Sequence, residues 1–377
     1  MPTETYSIAY IPGDGVGVDV SDAAIAIVSA AGARIGGFAL SLAPVHAGAA
    51  YYSEEGVDLE PGGEAVIAGA DAILLGAIGL PNVRRPDGTE ISPHLRLRDQ
   101  LQLYAGVRPI KAFANTPLRL ADPRAAEIDC VIVRESTEGL FYSAAAHGRG
   151  DHLNAGQPDE ECRDILRITR PTTEKLHDFA FRLARKRKAR GGPGHVTCVD
   201  KANVFRSMAF FRKVFDERAG QFPEIGARHN YVDAQALDFI RKPWAFDVLV
   251  SENMFGDILS DLAGGLVGGM GMAACAEIGD AHALFQPAHG SAPDIMGQDK
   301  ANPTAAILSA AMMLEYLGER ADRDEPRIAG ELIAATIERG YAEQRLRPIE
   351  IGGDMGTAAF VKETLALIDE TNLNAMA

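Results

Sequence analysis

Short apolar runs bounded by Gly, Pro or Asp alternate along the chain with longer stretches whose apolar residues recur at helical spacing. The runs Ile8–Ile11, Ala72–Leu75, Ile128–Val133, Val196–Val199 and Phe246–Val250 read as strands. Between them, "VGVDVSDAAIAIVSAAG", "TEKLHDFAFRLARKRKARGG" and "NPTAAILSAAMMLEYLGE" read as helices, two of them closed by a glycine stop. This alternation predicts an α/β protein with mainly parallel strands. The longest clean apolar run, residues 305–314, is too short to span a bilayer. The basic run at 182–192 reads as a solvated helix end, where Arg and Lys complement the helix dipole, and not as a nucleic-acid patch.

A length of 377 residues is long for one core, so two packed units are expected. The net charge of −15 argues against general binding to nucleic acid or anionic membranes, and requires that arginines be concentrated wherever an anionic ligand binds. The four cysteines, Cys130, Cys162, Cys198 and Cys275, are widely spaced with no CxxC, which suggests neither a zinc site nor a disulfide framework. They read as reduced thiols of a soluble, cytoplasmic protein. The N-terminal residues show no secretory pattern.

Four clusters carry candidate chemistry. In "SPHLRLRDQLQLYAGVRP", Arg98 and Arg108 lie ten residues apart, and Arg134 ends the strand of "DCVIVRESTEGLFYS". Singly, each arginine reads as a surface ion pair; together they are three guanidiniums suited to gripping carboxylates. In "FGDILSDLAGGL", Asp257 and Asp261 project from one helical face, where two like charges call for a cation such as Mg²⁺ or Mn²⁺. Lys201 closes a strand in "VDKANV", and Asp233 follows "NYV" at a strand-to-helix junction, the usual place for ligands in such folds. The long polar loop "LFQPAHGSAPDIMGQDKANPTAAIL" has the length and polarity of a functional segment. "GMGMAA" at 269–274 fits a dinucleotide fingerprint but follows a helix, so it is rejected as one.

Together and in this order, the clusters resemble the β-decarboxylating dehydrogenases of 3-substituted malates: isopropylmalate, isocitrate, homoisocitrate and tartrate/D-malate dehydrogenases. The resemblance runs from "IPGDGVGVDV" to "IGGDMGTAAF". It implies an isopropylmalate dehydrogenase-like, non-Rossmann, two-domain fold with a mixed, mainly parallel sheet and flanking helices. Residues 1–104 plus 268–377 would form the cofactor-binding domain, and 105–267 a central domain carrying the dimer interface and the metal aspartates. It further implies a homodimer with shared active sites. Arg98, Arg108 and Arg134 would hold the malate carboxylates, with Ser92 and His94 facing the C3 substituent. Asp257 and Asp261 would bind the metal with Asp233 from the other subunit. Lys201 would assist proton removal from the C2 hydroxyl. His289, Gly290, Ser291, Ala292, Asp294 and Asn302, with Asn203 nearby, would hold the dinucleotide. A carboxylate at Asp294 favours NAD⁺ over NADP⁺, since it accepts from ribose hydroxyls and repels a 2′-phosphate.

Three positions depart from the family pattern. Phe141 stands where the family places a tyrosine general acid, which makes Tyr142, one residue later, the candidate proton donor. The residues before Arg98 include Ser92 and His94, nearer to the isocitrate branch than to an apolar isopropyl wall. Gln286 replaces the usual Glu. Metal-dependent, NAD⁺-linked oxidative decarboxylation is therefore the leading reading. Tartrate-type oxidation without obligatory decarboxylation is the second, and a non-catalytic regulatory paralogue the third.

Overall fold

The computed structural model describes residues 3–145 and 164–373; Cys162 lies outside them. The chain opens with β1 (Glu4–Gly13), α1 (Val16–Ile35), β2 (Phe38–Pro44), α2 (Ala49–Glu55), α3 (Gly63–Gly69), β3 (Ala72–Ala77) and α4 (Pro93–Gln100). Then come β4 (Ala105–Lys111), β5 (Asp129–Glu135), α5 (Phe141–Ala145), α6 (Arg170–Ala189), β6 (His195–Asp200), α7 (Arg206–Ala219), β7 (Gly226–Tyr231) and α8 (Val232–Arg241). β8 (Val248–Ser251), α9 (Asn253–Leu266), β9 (Ala274–Ile278), β10 (Ala283–Pro287), α10 (Thr304–Ala321), α11 (Asp324–Ala342) and α12 (Thr357–Glu370) complete it.

The strands form one ten-stranded sheet in the order β2-β1-β3-β10-β9-β4-β5-β8-β6-β7. Pairing is parallel except along the central seam, where β10–β9, β9–β4 and β4–β5 are antiparallel. Strands from residues 4–77 and 274–287 make one half of the sheet, and strands from 105–251 make the other. The inner strands β3, β6 and β8 are buried at every position, as expected of parallel strands covered by helices on both faces. The edge strands β2 and β7 are largely exposed, and β7 ("GARHNY") carries polar side chains that discourage further pairing.

All five predicted strands are present, and the three predicted helices are α1, α6 and α10. One glycine stop is misplaced. α1 runs through Gly32 to Ile35 and is capped by Gly36, because Gly32 is a packing position: a Cβ there would meet the Phe38 ring at 3.3 Å. α1 is also the one helix among the described residues long and apolar enough to cross a membrane. Its buried residues, among them Val20, Ala24, Ile27 and Ala31, instead join the core shared with α10, α11 and α12. Pro109 sits inside β4, where proline is unfavourable in a central strand. β9 pairs only with Ala105–Val107, so Pro109 lies where β4 has a single neighbour, β5.

Candidate functional site

Two adjoining cavities lie along the seam of the sheet. The larger, about 820 Å³, is lined by the ends of β3 and β10, by α4 and the loop before it, and by residues from β4, β5, α5 and α9. It brings together Ser92, His94, Arg98, Arg108, Arg134 and Asp257 from the sequence-predicted set. The smaller, about 290 Å³, is lined by His289, Gly290, Ala292 and Asn302, together with Val16, Gly271 and Glu350. His289 and Gly290 belong to both, so the cavities meet at that loop.

The arginines arrive on three different elements: Arg98 on α4, Arg108 on β4 and Arg134 at the end of β5. All three are buried, and each is tied down by an acceptor. Arg134 donates through Nε and Nη2 to Asn253 Oδ1, at 2.9 and 2.6 Å, and through Nη1 to Asp257. Arg108 reaches Ser260 Oγ at 2.7 Å and both Asp257 and Asp261 at 3.2 Å. Arg98 pairs with Glu277 at 2.8 Å. Burial, and then the charges of Arg108 and Arg98, bring the Arg134 pKa down to about 10, so the crowding of guanidiniums outweighs the carboxylates already paired with them. A ligand with carboxylates relieves that repulsion.

His94 is half-buried overall, but its Nδ1 is sealed from water and has no hydrogen-bond partner. Burial, reinforced by Arg98 and Arg134, lowers its pKa to about 3, so it faces the cavity as a neutral imidazole. Ser92 precedes α4 and donates to the Glu90 carbonyl at 3.4 Å. Arg96, on the same helix, points elsewhere and is gripped by Asp58 at 3.0 and 3.1 Å.

The charged end of β5, in "RESTEGLFY", divides its two side chains between different tasks. Arg134 turns to the cavity, while Glu135 accepts from Thr137 N, Thr137 Oγ1 and Glu138 N and so holds the turn that follows. Burial raises the Glu135 pKa to about 7 against those stabilising bonds. Of the two rings, Phe141 lines the cavity, with the Arg134 guanidinium 4.9 Å from its centre. Tyr142 does not line it. Its ring lies 4.2 Å from the guanidinium carbon of Arg167. Successive residues of a helix point about 100° apart, so only one of the two rings can face the arginines, and it is the one without a hydroxyl. Tyr142, expected as proton donor, is thus placed beside Arg167 and outside the cavity lining.

Asp257 and Asp261 share one face of α9, as predicted. Burial raises the Asp261 carboxyl above the ordinary range; Arg108 opposes this and Asp257 adds to it. Among the described residues, no three His, Cys, Asp or Glu side chains converge as a metal site. Lys201, Asn203 and Asp233 line neither cavity. Lys201 follows β6 and donates to Asp233, in the first turn of α8, at 2.6 Å; the Asp233 side chain is 67% exposed. Around them Val204, Phe205, Tyr231, Leu237, Ile240 and Ile258 are exposed apolar residues.

In the polar loop, His289 Nδ1 bonds to the Gly290 carbonyl, while its Nε2 is buried without a partner. Asn302 lines the cavity and bonds Glu350 at 2.9 Å. Ser291 is committed elsewhere, since its hydroxyl donates to the Gly79 carbonyl. Its carbonyl accepts from Val16 N at 2.7 Å, next to Gly15, whose φ of 57° and contact with Ser291 leave no room for a side chain. The glycine turn of "PGDGVG", between β1 and α1, thus docks this loop. Asp294 is exposed on the turn at Pro293–Ile295 and is not among the residues lining the cavity. "GMGMAA" is no Rossmann turn, yet its Met270 and Gly271 line the smaller cavity. Residues missed from sequence include Glu277, Asn253 and Ser260; a Glu within the small, apolar "ACAEIG" was the available signal for the first.

Comparison with known proteins agrees with this arrangement. The family model described as isocitrate/isopropylmalate dehydrogenase matches residues 7–363. A 3-isopropylmalate dehydrogenase of Moorella thermoacetica is 41% identical, over 82% of this chain and 85% of its own length. A 3-isopropylmalate/3-methylmalate dehydrogenase of Methanocaldococcus jannaschii is 38% identical, over 97% of this chain and 99% of its own. Among solved structures, isocitrate dehydrogenase from Methylococcus capsulatus superposes with a TM-score of 0.80 at 32% identity, covering 97% of this chain and 100% of that one. With the family shared over nearly the whole length, and the arginine-lined cavity in place, the chain belongs to the isocitrate/isopropylmalate dehydrogenase family and is an oxidoreductase acting on a CH–OH group.

Proposed function

We propose that the protein oxidises the C2 hydroxyl of a 3-substituted malate with NAD⁺ and a divalent cation, Mg²⁺ or Mn²⁺, and releases the β-carboxylate as CO₂. The observation that carries this reading is the convergence of Arg98, Arg108, Arg134 and Asp257 on one cavity that adjoins the His289–Asn302 cavity. The names of the relatives make 3-isopropylmalate a leading substrate candidate.

The residues suit both absent groups. Asp257 and Asp261 supply two hard oxygen ligands one helical turn apart, and Asp233 of the partner subunit is the third in this reading. The buried, unpartnered His289 Nε2 beside Asn302 suits the polar edges of a nucleotide, with Ala292, Asp294 and Asn203 of the partner subunit at its margin. When bound, the cation supplies Lewis-acid polarisation of the C2 oxygen and NAD⁺ supplies the hydride acceptor. The protein does the rest. Arg98, Arg108 and Arg134 orient the two carboxylates, and Lys201 of the partner subunit takes the hydroxyl proton.

This assignment requires a homodimer, because Lys201 and Asp233 lie outside the cavity of their own chain. The exposed Phe205, Tyr231, Leu237, Ile240 and Ile258 support it, since an apolar face of this kind marks an association surface. We assign the cofactor to residues 1–104 plus 268–377 and the interface to 105–267. The buried free thiols of Cys130, Cys198 and Cys275 favour a reducing, cytoplasmic setting.

Phe141 favours a second reading, oxidation of a tartrate-like acid without obligatory decarboxylation, because the ring facing the substrate cannot return a proton to C3. The test measures NADH and CO₂ side by side, with Mn²⁺ and 3-isopropylmalate, isocitrate, homoisocitrate, D-malate and tartrate. Equal yields on one substrate would identify it, and the Phe141→Tyr variant should then accelerate CO₂ release. NADH without CO₂ would establish the second reading, and no NADH with any of the five would reject both.

A further inference from the structure

Glu277 is a buried carboxylate that the reaction described above does not use. It sits in β9 between β10 and β4, opposite Leu284 and Gly106, and is wholly excluded from solvent. Its Oε1 takes the Arg98 guanidinium at 2.8 Å and the Cys275 thiol at 3.7 Å. Its Oε2 is buried with no hydrogen-bond partner. A carboxylate in that position is costly unless a neighbouring charge compensates it. The sheet makes room for it: a Cβ on Gly106 would lie 3.0 Å from Oε2.

The compensation comes from the substrate cavity. Arg98 lines that cavity, and the Glu277 charge also acts on Arg108 and Arg134. The three guanidiniums supply three positive charges to an incoming anion, and Glu277 cancels one. Asp257 also pairs with both Arg134 and Arg108, and Asp261 with Arg108, but these carboxylates lie on the solvated side of the cluster, with side chains 37% and 58% exposed, and are the proposed cation ligands. What remains at the buried end matches two carboxylates.

Among the described residues, the wall beyond Arg98 offers a third carboxylate the hydroxyls of Thr89 and Ser92 but no unpaired positive charge. His94 is neutral there, and Leu95 and Ile78 are apolar. Arg85, at the lip, is held by Asp58, and the other charged lip residues, Asp87 and Glu90, are acidic.

We propose that Glu277 is a positioning residue for substrate choice: by anchoring Arg98 and cancelling one guanidinium charge, it makes the site prefer malates with an uncharged C3 substituent over tricarboxylates. The inference rests on the dehydrogenase reading above and narrows its substrate class. It sets Glu277 against Ser92 and His94, whose spacing alone suggests the isocitrate branch.

The test is equilibrium binding of D-malate and isocitrate by calorimetry, with Mn²⁺ present and NAD⁺ omitted so that no turnover occurs. The unaltered protein should bind D-malate at least tenfold more tightly than isocitrate; tighter binding of isocitrate overturns the proposal without any variant. Glu277→Gln keeps the size and the acceptor for Arg98 but removes the charge. It should shift the ratio of the two dissociation constants at least tenfold toward isocitrate, while Glu277→Asp keeps the unaltered ratio. A folded Gln variant that weakens both ligands equally, or an Asp variant that shifts the ratio as Gln does, shows a structural role and overturns the proposal. If neither ligand binds the unaltered protein, the dehydrogenase reading fails, and this inference with it.

Discussion

The arginine cavity and the Lys201–Asp233 pair are built to opposite specifications. Arg98, Arg108 and Arg134 are 5%, 6% and 2% exposed, and their acceptors hold them in place before any ligand arrives. Lys201 and Asp233 form an ion pair with side chains 23% and 67% exposed, on a face scattered with uncovered apolar residues. The buried cluster has already met the cost of removing charge from water, so its geometry is preset. The exposed pair contributes little on its own and exchanges partners easily. One region is therefore preset in its geometry, and the other, in the proposed dimer, would gain its partner only from a second surface.

The largest predicted effect comes from breaking the preset side. Arg134→Ala removes the proposed carboxylate grip and leaves Asn253 and Asp257 without their shared donor, so kcat/KM should fall by roughly 10²–10⁴, taking about 3–5 kcal/mol for breaking a buried charge pair. Steady-state kinetics and denaturant unfolding on the same variant separate loss of binding from loss of fold.

The next tests the exposed side. Lys201→Met should lower kcat by about 10²–10⁴, the usual range for a lost general base, with little effect on stability. Co-expressed with an Asp257→Asn chain, it should regain activity, because each mixed dimer then contains one complete site. Purified heterodimers without recovered activity would show that the two regions never meet.

The smallest effect separates the fold from both regions. His177, on α6, is buried against Phe211 and Phe215 with neither ring nitrogen bonded, and burial lowers its pKa to about 3. The unfolded chain, with an imidazole near 6.5, takes up a proton that the folded chain refuses, so stability is lost as pH falls from about 6.5 toward 3. His177→Phe should remove about 2 kcal/mol of the loss between pH 6.5 and 5, read from urea unfolding at both values. An unchanged pH slope would place the protonation elsewhere.

The sequence was most legible where burial is two-sided and the chain speaks in continuous apolar runs, as in β5, β6 and β8. It was least legible at β7, whose polar residues suit an edge, at β4, where Pro109 argues against a strand, and at β9 and β10, whose short runs sit among glycines. The arginines and aspartates of the proposed site were singled out by their clustering and by the family resemblance, since each arginine read alone looked like a surface ion pair. Glu277 and Asn253 were not, because their importance lies in contacts with Arg98 and Arg134, residues distant in sequence. The choice between Phe141 and Tyr142 also needed the helix phase, which spacing alone does not supply.

The two halves of the sheet meet along a slender ladder: three register pairs tie β9 to β4, whereas β4 and β5 share seven. Torque between the halves concentrates at the least braced joint, as it does in any riveted plate. That joint carries Glu277 on β9 opposite Gly106 on β4, and β10, which follows β9, leads directly into the His289 loop. The strand whose carboxylate faces the arginine cluster is thus also the strand along which the two halves of the sheet meet.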